Sequence, residues 1–238
     1  MKVAEGVAML ELEIQDTVLN PTLVWDESAA VLIDTGMPGQ SEQILKKMAE
    51  NGVSLDQLKA VILTHQDLDH IGSLPELLKM ADHPIEVYAH EADKPYIEGT
   101  RRLMKADPEN MNEEVWNKLP DQVKELYKNP PKAEVTTGLK DGDELPDFGG
   151  MKVISTPGHT PGHISLLLQK GKTLVAGDAM VCSNEFLQRP VEQVTPEMDT
   201  ALQSMRKLLD YDIDQVICYH GGLASGNIHN QIKRLTEE

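Results

Sequence analysis

The sequence predicts an α/β protein in which two β-sheets pack face to face with helices on the outside. Two observations indicate this class. Short windows of alternating apolar and polar residues, typical of strands, are followed by segments whose apolar residues recur at helical spacing. This order of strands and then helices occurs in both halves of the chain. A chain of 238 residues, 40 % of them hydrophobic, can bury a full core without disulfides. Length alone allows one large domain or two small ones.

The elements of the first half are short and follow one another closely. Strands are predicted where apolar residues alternate or form a short run between turn residues, and helices where apolar residues recur at helical spacing. The predicted strands are residues 7–14, 22–25, 29–33, 60–63 and 85–88, and the predicted helices are about 41–51 and 70–80. Ser41 can cap the first of these helices, and Gly52 can end it.

Residues 91–133 differ in character because charged residues and five prolines are dispersed through them. We predict two or three short amphipathic helices there. A plain surface insertion fits this composition. A lid over a site fits as well, because aromatic and methionine side chains such as Tyr96, Met104, Trp116 and Tyr127 could form the wall of a pocket.

The second half returns to strands and ends with helices. The predicted strands are residues 135–139, 151–155, 164–169, 173–176 and 215–219, and the predicted helices are about 196–209 and the C-terminal segment. Each of several strands ends at a loop that contains histidine or aspartate.

Composition and charge exclude several classes of protein. The formal charge is −17 and no Lys/Arg cluster occurs, which argues against nucleic acid as a partner. No stretch of about 18 uncharged apolar residues is present, so we expect no membrane span. Cys182 and Cys218 are expected to be buried hydrophobic residues. We expect a cytoplasmic protein that acts on a small-molecule substrate. The sequence is compatible with a homodimer.

Histidines and aspartates concentrate where four predicted strands end. The segment Thr64-His65-Gln66-Asp67-Leu68-Asp69-His70 follows one strand, Pro157-Gly158-His159 a second, Gly177-Asp178 a third and His220 a fourth. Sites in open α/β sheets lie outside the carboxyl ends of the strands. Imidazole and carboxylate together suit zinc, iron, manganese or cobalt. The sequence therefore predicts a metal centre formed by His65, Asp67, Asp69, His70, His159, Asp178 and His220.

In order and spacing, these motifs and the early Ile33-Asp34-Thr35-Gly36 resemble the metallo-β-lactamase-fold superfamily over almost the whole chain. The resemblance implies one domain over residues 1–238, an αββα sandwich of two mixed β-sheets, with the helical insertion at about 91–133. It also implies two divalent metal ions at one edge of the sandwich. Carried over by position, the ligands of the first metal are His65, Asp67 and His159, those of the second are Asp69, His70 and His220, and Asp178 bridges both.

One position departs from the family pattern. The usual motif is H-x-H-x-D-H, and Asp67 stands where the second histidine is expected. A carboxylate adds negative charge and a harder oxygen donor, which weakens the preference for zinc and favours iron or manganese. We expect zinc as the bound metal, and Asp67 makes iron or manganese the alternatives. In the alternative, Asp67 does not reach the metal, and that site binds its ion weakly. The flavodiiron branch of the fold places Glu at this position, which implies that a carboxylate here is compatible with two metals.

Two further residues are expected to support the ligands. His163 follows the ligand loop, and we predict a structural role or one that orients a ligand. Asp34 is predicted either to orient a ligand or to cap the end of its strand.

The resemblance implies a metal-dependent hydrolase that cleaves a small ester, lactone or thioester. A hydroxide shared by two metals would attack the carbonyl, and Asp69 would carry the proton. A phosphodiesterase and an iron-dependent oxidoreductase of the same fold are the alternatives. The ribonuclease, hydroxyacylglutathione hydrolase, exported β-lactamase and flavodiiron branches fit less well. We expect no basic arm, no signal sequence and no flavodoxin domain, and 18 residues of the sequence follow His220.

Overall fold

The computed structural model describes residues 1–146 and 149–237, and these contain seventeen β-strands and eight α-helices. The strands are β1 (Lys2–Ala4), β2 (Val7–Met9), β3 (Leu12–Ile14), β4 (Thr17–Leu19), β5 (Thr22–Trp25), β6 (Ala30–Ile33), β7 (Leu58–Ile62), β8 (Glu86–His90), β9 (Thr137–Leu139), β10 (Glu144–Leu145), β11 (Met151–Ser155), β12 (Ile164–Leu168), β13 (Thr173–Gly177), β14 (Val181–Ser183), β15 (Phe186–Gln188), β16 (Gln215–Cys218) and β17 (Gly222–Ser225). The helices are α1 (Ser41–Glu50), α2 (Leu68–Ile71), α3 (Leu74–Met80), α4 (Lys94–Ile97), α5 (Glu113–Lys118), α6 (Asp121–Lys128), α7 (Met198–Lys207) and α8 (Ile228–Glu237).

Two mixed sheets contain most of the strands. The first has the order β1-β2-β5-β6-β7-β8-β9, and its pairs are parallel from β6 to β9 and antiparallel elsewhere. The second has the order β10-β11-β12-β13-β16-β17, with only β13 and β16 parallel. The remaining strands form the hairpins β3-β4 and β14-β15. The parallel strands β7, β13 and β16 are interior strands, so the loops after them leave the sheets near their centres.

The apolar residues form three layers, and alternation along β6 shows how they arise. Val31 and Ile33 belong to a core between the two sheets, whereas Ala30 and Leu32 pack on the outer side with α1. The second sheet does the same, since β13 residues contribute both to the core between the sheets and to an outer core with α7 and α8. Successive strand residues point to opposite faces, so each sheet is covered on both sides. The predicted αββα sandwich of two mixed sheets is confirmed.

Local differences from the sequence predictions have physical causes. Residues 7–14 form two strands in different sheets, because Glu11 between them adopts φ +51°, a left-handed conformation that ends an extended run. The helix predicted at 70–80 is divided into α2 and α3 by Gly72 and Ser73. Gln40, and not Ser41, is the N-cap of α1, and the Ser41 hydroxyl donates to the carboxylate of Glu76.

Residues 91–133 contain the predicted short helices, which are α4, α5 and α6. The segment is anchored at several points: Ile97 and Leu103 are buried with the outer core of the first sheet, and the Lys94 ammonium donates to the carbonyl of Val135 at 2.8 Å. Cys182 and Cys218 are buried as predicted. Across residues 1–146 and 149–237, we find no helix with the length and apolar character that a membrane crossing requires.

Gly72 determines how closely α2 approaches the loop after β6. A Cβ atom at this position would lie 2.4 Å from both the backbone carbon of Met37 and the backbone nitrogen of Pro38. The Gly72 N–H also donates to the carbonyl of Gly36 at 2.9 Å. Because α2 carries His70, this contact positions one of the predicted metal ligands.

We expect Gly72→Ala to lower the free energy of unfolding by about 1–3 kcal/mol, because the added methyl group meets backbone that cannot move aside. Urea denaturation of the metal-free protein measures the change. Gly138→Ala is the matched control, since the atoms nearest to its added Cβ all belong to the exposed side chain of Glu91 and not to backbone. Equal losses of stability in the two variants would contradict the account of Gly72.

Candidate metal centre

The loop after β7 delivers four of the predicted ligands. β7 ends at Ile62, and His65 follows three residues later. Asp67 is the N-cap of α2, whose single turn then carries Asp69 and His70 back to the same place. The rings of His65 and His70 lie 3.9 Å apart, centroid to centroid.

Three other loops bring the remaining ligands. His159 lies between β11 and β12, Asp178 follows β13, and His220 follows β16. The N–H of Ile164 donates to the carbonyl of Thr64 at 2.9 Å, which joins the loop after β7 to β12 of the second sheet. The structure thus brings all seven predicted residues together, and their role as metal ligands stays a prediction.

The first cluster consists of His65, Asp67 and His159, whose ligand atoms lie within 4.8 Å of one another. Asp67 Oδ2 lies 2.9 Å from His159 Nε2 and 3.3 Å from His65 Nε2. The Asp67 carboxylate therefore points at the same space as the two imidazoles. This geometry is compatible with Asp67 as a ligand of the first metal, and both that role and the alternative, in which Asp67 does not reach the metal, stay predictions.

The second cluster consists of Asp69, His70 and His220, also within 4.8 Å. Asp69 Oδ2 lies 3.3 Å from His220 Nε2 and 3.9 Å from His70 Nε2. Asp178 lies between the two clusters: its Oδ2 is 3.3 Å from His159 Nε2 and 3.4 Å from His220 Nε2. This position suits a carboxylate shared by two ions.

Three atoms of the site are buried without a hydrogen-bond partner within the described part of the chain: Nε2 of His65, Nε2 of His70 and Oδ1 of Asp178. An unpartnered buried polar atom is costly, because it has lost its water without replacement. The three residues each offer a ligand atom within 4.8 Å of the others. Imidazole nitrogens and carboxylate oxygens are the donors that zinc and similar ions take. The residues present therefore fit divalent metal ions.

Asp34 and Thr64 orient the imidazoles from behind. Asp34 Oδ2 accepts from His70 Nδ1 at 2.9 Å and from the Thr64 hydroxyl at 2.8 Å. The Thr64 oxygen lies 3.0 Å from His65 Nδ1 and can accept its proton. Because the Nδ1 atoms of both histidines face these oxygens, their Nε2 atoms are turned toward the site. Asp34 therefore orients the ring of His70, a predicted ligand, which agrees with one of the two sequence interpretations.

His163 is a support and not a ligand. Its Nε2 accepts from the N–H of Asp178 at 2.9 Å, and its Nδ1 lies 2.8 Å from the hydroxyl of Thr156. Burial lowers its pKa well below the usual value, so the ring is neutral. Both nitrogens are occupied, and the ring positions the Asp178 backbone.

The sequence analysis missed Asp93, which connects two ligand loops. Its fully buried carboxylate accepts four hydrogen bonds, two of them from Gln66. The other two come from the Thr160 hydroxyl at 2.7 Å and the Gly162 N–H at 2.8 Å. A carboxylate shortly after β8 is the available signal, but the sequence predicts residues 91–133 only as a surface insertion or a lid.

Lys105 was also missed. Its side chain reaches from the segment between α4 and α5 into the first cluster, where Nζ lies 2.5 Å from Asp67 Oδ2 and contacts His159 Nε2. No sequence signal marked this lysine among the other charged residues of its segment.

The charges of the site shift several pKa values. Burial raises the pKa of Asp67 and Asp178, but neighbouring histidines outweigh it and hold both pKa values well below the usual range. Burial lowers the pKa of His70, but Asp34 and Asp178 outweigh it and raise the pKa well above its usual value. For His220, hydrogen bonds to Asp178 and Asp69 overcome burial and raise the pKa to about 9.

A cavity of about 300 Å³ opens onto both clusters, and we call it the metal cavity. Its wall combines the site with apolar side chains of the loop after β7 and of the segment 91–133. The lining residues are Asp67, Leu68, Asp69, Leu103, Lys105, Ala106, Tyr127, His159, Asp178, Val194 and His220.

We expect Asp93→Ala to lower the free energy of unfolding by roughly 3–5 kcal/mol, because it leaves buried donors of Gln66, Thr160 and Gly162 without their acceptor. Urea denaturation measures the loss. Asp82→Ala is the control, since the Asp82 side chain is 92 % exposed. A loss as small as that of the control would show that Asp93 does not hold the loops.

The raised pKa of His220 makes the stability of the metal-free protein depend on pH. The folded pKa of about 9 exceeds the ordinary histidine value of 6.5, so this contribution is complete below pH 6.5 and is lost as the pH rises through about 9. Urea denaturation in chelator should show stability falling over this range, with a shallower fall in His220→Gln. Stability that rises or stays level between pH 6.5 and 9 would contradict the assignment.

Comparison with known proteins agrees with the fold. The sequence profile of the metallo-beta-lactamase superfamily matches residues 16–220. The probable metallo-hydrolase YflN of Bacillus subtilis is 32 % identical over 234 residues, covering 92 % of this chain and 84 % of that protein. Hydroxyacylglutathione hydrolase GloC of Haemophilus influenzae is 27 % identical over 164 residues, covering 68 % of this chain and 66 % of that protein.

Solved structures show the same fold. A metallo-beta-lactamase family protein from Thermus thermophilus, TTHA1429, superimposes with a TM-score of 0.73 at 20 % sequence identity, covering 98 % of this chain and 79 % of that chain. Profile, relatives and fold agree with the resemblance that the ordered His and Asp motifs predicted. The chain belongs to the metallo-β-lactamase superfamily of metal-dependent hydrolases.

Proposed function

We propose that this protein uses two divalent metal ions to hydrolyse a small ester, lactone or thioester. One observation carries the proposal. Seven imidazole and carboxylate side chains from four loops converge below the metal cavity, and three of their buried atoms have no partner within the described part of the chain. Such a set of donors is costly to assemble unless it binds cations.

The first cluster would hold one ion and the second cluster the other, with Asp178 between them. A divalent ion bound there lowers the pKa of water from 15.7 towards about 7, and thus makes a nucleophile available at neutral pH. We propose zinc as the natural metal. Iron or manganese remains in the proposal because Asp67 contributes a hard oxygen donor.

Asp69 is the proton carrier in this proposal. Its side chain is 28 % exposed at the wall of the metal cavity, and Oδ2 lies 3.3 Å from His220 Nε2. Burial raises its pKa, but His70 and His220 lower it below the usual value, so the carboxylate is ionised at neutral pH. Asp69 can therefore accept a proton from the attacking water and pass it to the leaving group.

The walls of the cavity favour an ester or thioester with an apolar arm. Leu68, Leu103 and Val194 line the metal cavity, and a second cavity of about 410 Å³, which we call the adjoining cavity, shares Lys105 and Val194 with it. Met104 and Met111 line that second space. The segment 91–133 supplies much of both walls, and we propose that it acts as a lid that selects the substrate. The relative GloC is named a hydroxyacylglutathione hydrolase, and this name supports a thioester as the substrate class.

An iron-dependent oxidoreductase is the second candidate, and Asp67 favours it. A carboxylate in the first cluster suits iron better than a third imidazole does. Iron in the protein as purified, together with a redox activity and no ester turnover, would support this candidate over the hydrolase.

Activity assays on metal-defined protein test the proposal. A panel of lactones, thioesters, aryl phosphodiesters and β-lactams is offered to protein loaded with zinc, manganese or iron. We expect turnover of carboxyl esters, lactones or thioesters that is lost in chelator and restored by metal. Turnover of phosphodiesters alone would replace the proposed substrate class with a phosphoryl one.

We expect His65→Ala to reduce activity and metal affinity at least 10-fold, because losing even an outer partner of a metal ligand typically costs about 10–100-fold. Elemental analysis and competition with a chromophoric chelator measure the metal, and the panel measures the activity. His229→Ala, an exposed residue of α8, is the control. Unchanged metal content in His65→Ala would refute the role of the first cluster.

A further inference from the structure

Lys105 places its Nζ among the atoms of the first cluster. Its Nζ lies 2.5 Å from Asp67 Oδ2 and also contacts His159 Nε2, so it touches two of the three members of the cluster. The second cluster differs. Within residues 1–146 and 149–237, no lysine or arginine forms an ion pair with Asp69, and the neighbours of this carboxylate are His70 and His220.

The chain fixes Lys105 in this place. Leu103 and Ala106, on either side of it, are buried with 2 % and 6 % exposure. The N–H of Met104 donates to Gln66 Oε1 at 2.9 Å, which attaches the segment to the loop that carries His65 and Asp67. The Gln66 amide in turn donates to Asp93. The lysine backbone is therefore held beside the first cluster.

An ammonium group and a metal ion cannot share these two donors. A metal bound by Asp67 and His159 would lie about 2.0–2.2 Å from the same oxygen and nitrogen that Lys105 contacts. The two cations would then overlap and repel each other. The adjoining cavity gives the lysine side chain space to move into, because Lys105 lines both cavities.

We propose that Lys105 competes with metal for the first cluster, so that the second cluster fills first and the first cluster binds its ion more weakly. The competition depends on both Asp67 and Lys105, because a carboxylate forms an ion pair with an ammonium group, whereas the histidine usual at this position would not. Metal in the first cluster must displace Lys105 towards the adjoining cavity. The inference rests on the proposed role of the two clusters in binding metal.

A metal titration tests this inference without using activity. Protein stripped with a chelator is titrated with Zn²⁺ in competition with a chromophoric chelator, and with Co²⁺ to follow its visible absorption. We expect two equivalents to bind wild type with clearly separated affinities. His220→Gln should weaken the tighter equivalent, which assigns it to the second cluster.

In Lys105→Met we expect the affinity for the more weakly bound equivalent of metal to increase by about 10-fold or more. The reason is that the variant removes a competing state that occupies the site most of the time. The tighter equivalent should change by less than about threefold, within ordinary variation of context. Lys105→Arg keeps the cation and should keep the weak second step. Lys118→Met, an exposed lysine of α5, is the control. Urea denaturation checks the folding of each variant, and Lys105→Gln replaces any methionine variant that does not fold.

Two equal affinities in wild type would overturn the inference, and so would a weaker equivalent that Lys105→Met leaves unchanged or weakens further. These results are distinct from failure of the proposed function. If neither wild type nor Lys105→Met binds metal, the two clusters are not a metal centre. If both bind metal equally well, only the competition by Lys105 is refuted.

Discussion

The concentration of charge at one edge of the sandwich is the constraint on which the rest of the structure depends. Asp67, Asp69 and Asp178 bring three carboxylates into a site that is largely buried, and burying such groups is costly unless opposite charge accompanies them. Without metal, the protein supplies that charge itself through protonated His70 and His220 and through Lys105. Divalent ions would supply it instead. The same donors can therefore be balanced by protons and an ammonium group or by metal.

Two further carboxylates hold the ligand loops in position. Asp34 fixes the ring of His70 and, through Thr64, that of His65. Asp93 joins the loop after β7 to the loop between β11 and β12. Neither residue belongs to the two clusters, yet both determine where the imidazoles point. A metal site with this support is preorganised, because its ligands do not have to be ordered when the ion arrives.

The sequence predicted the layers of the fold and the seven residues that the structure brings together, because strand alternation and residue chemistry are local signals. Boundaries were less predictable. Residues 7–14 alternate as one strand would, but Glu11 turns the chain and places the two halves in different sheets. Gly72 divides a helix that the apolar period alone would continue. In both places, a single backbone conformation or close contact outweighed the pattern.

The sequence by itself determined which donor groups the protein has and at which strand ends they stand. The tertiary structure alone decided how closely these donors approach one another and which charges lie beside them. Asp67 meets His159 across 92 positions of sequence, and Lys105 meets Asp67 across 38. Such contacts depend on how two sheets and an inserted segment pack against one another. No local pattern encodes that packing, because it arises from burial of apolar surface summed over the whole chain.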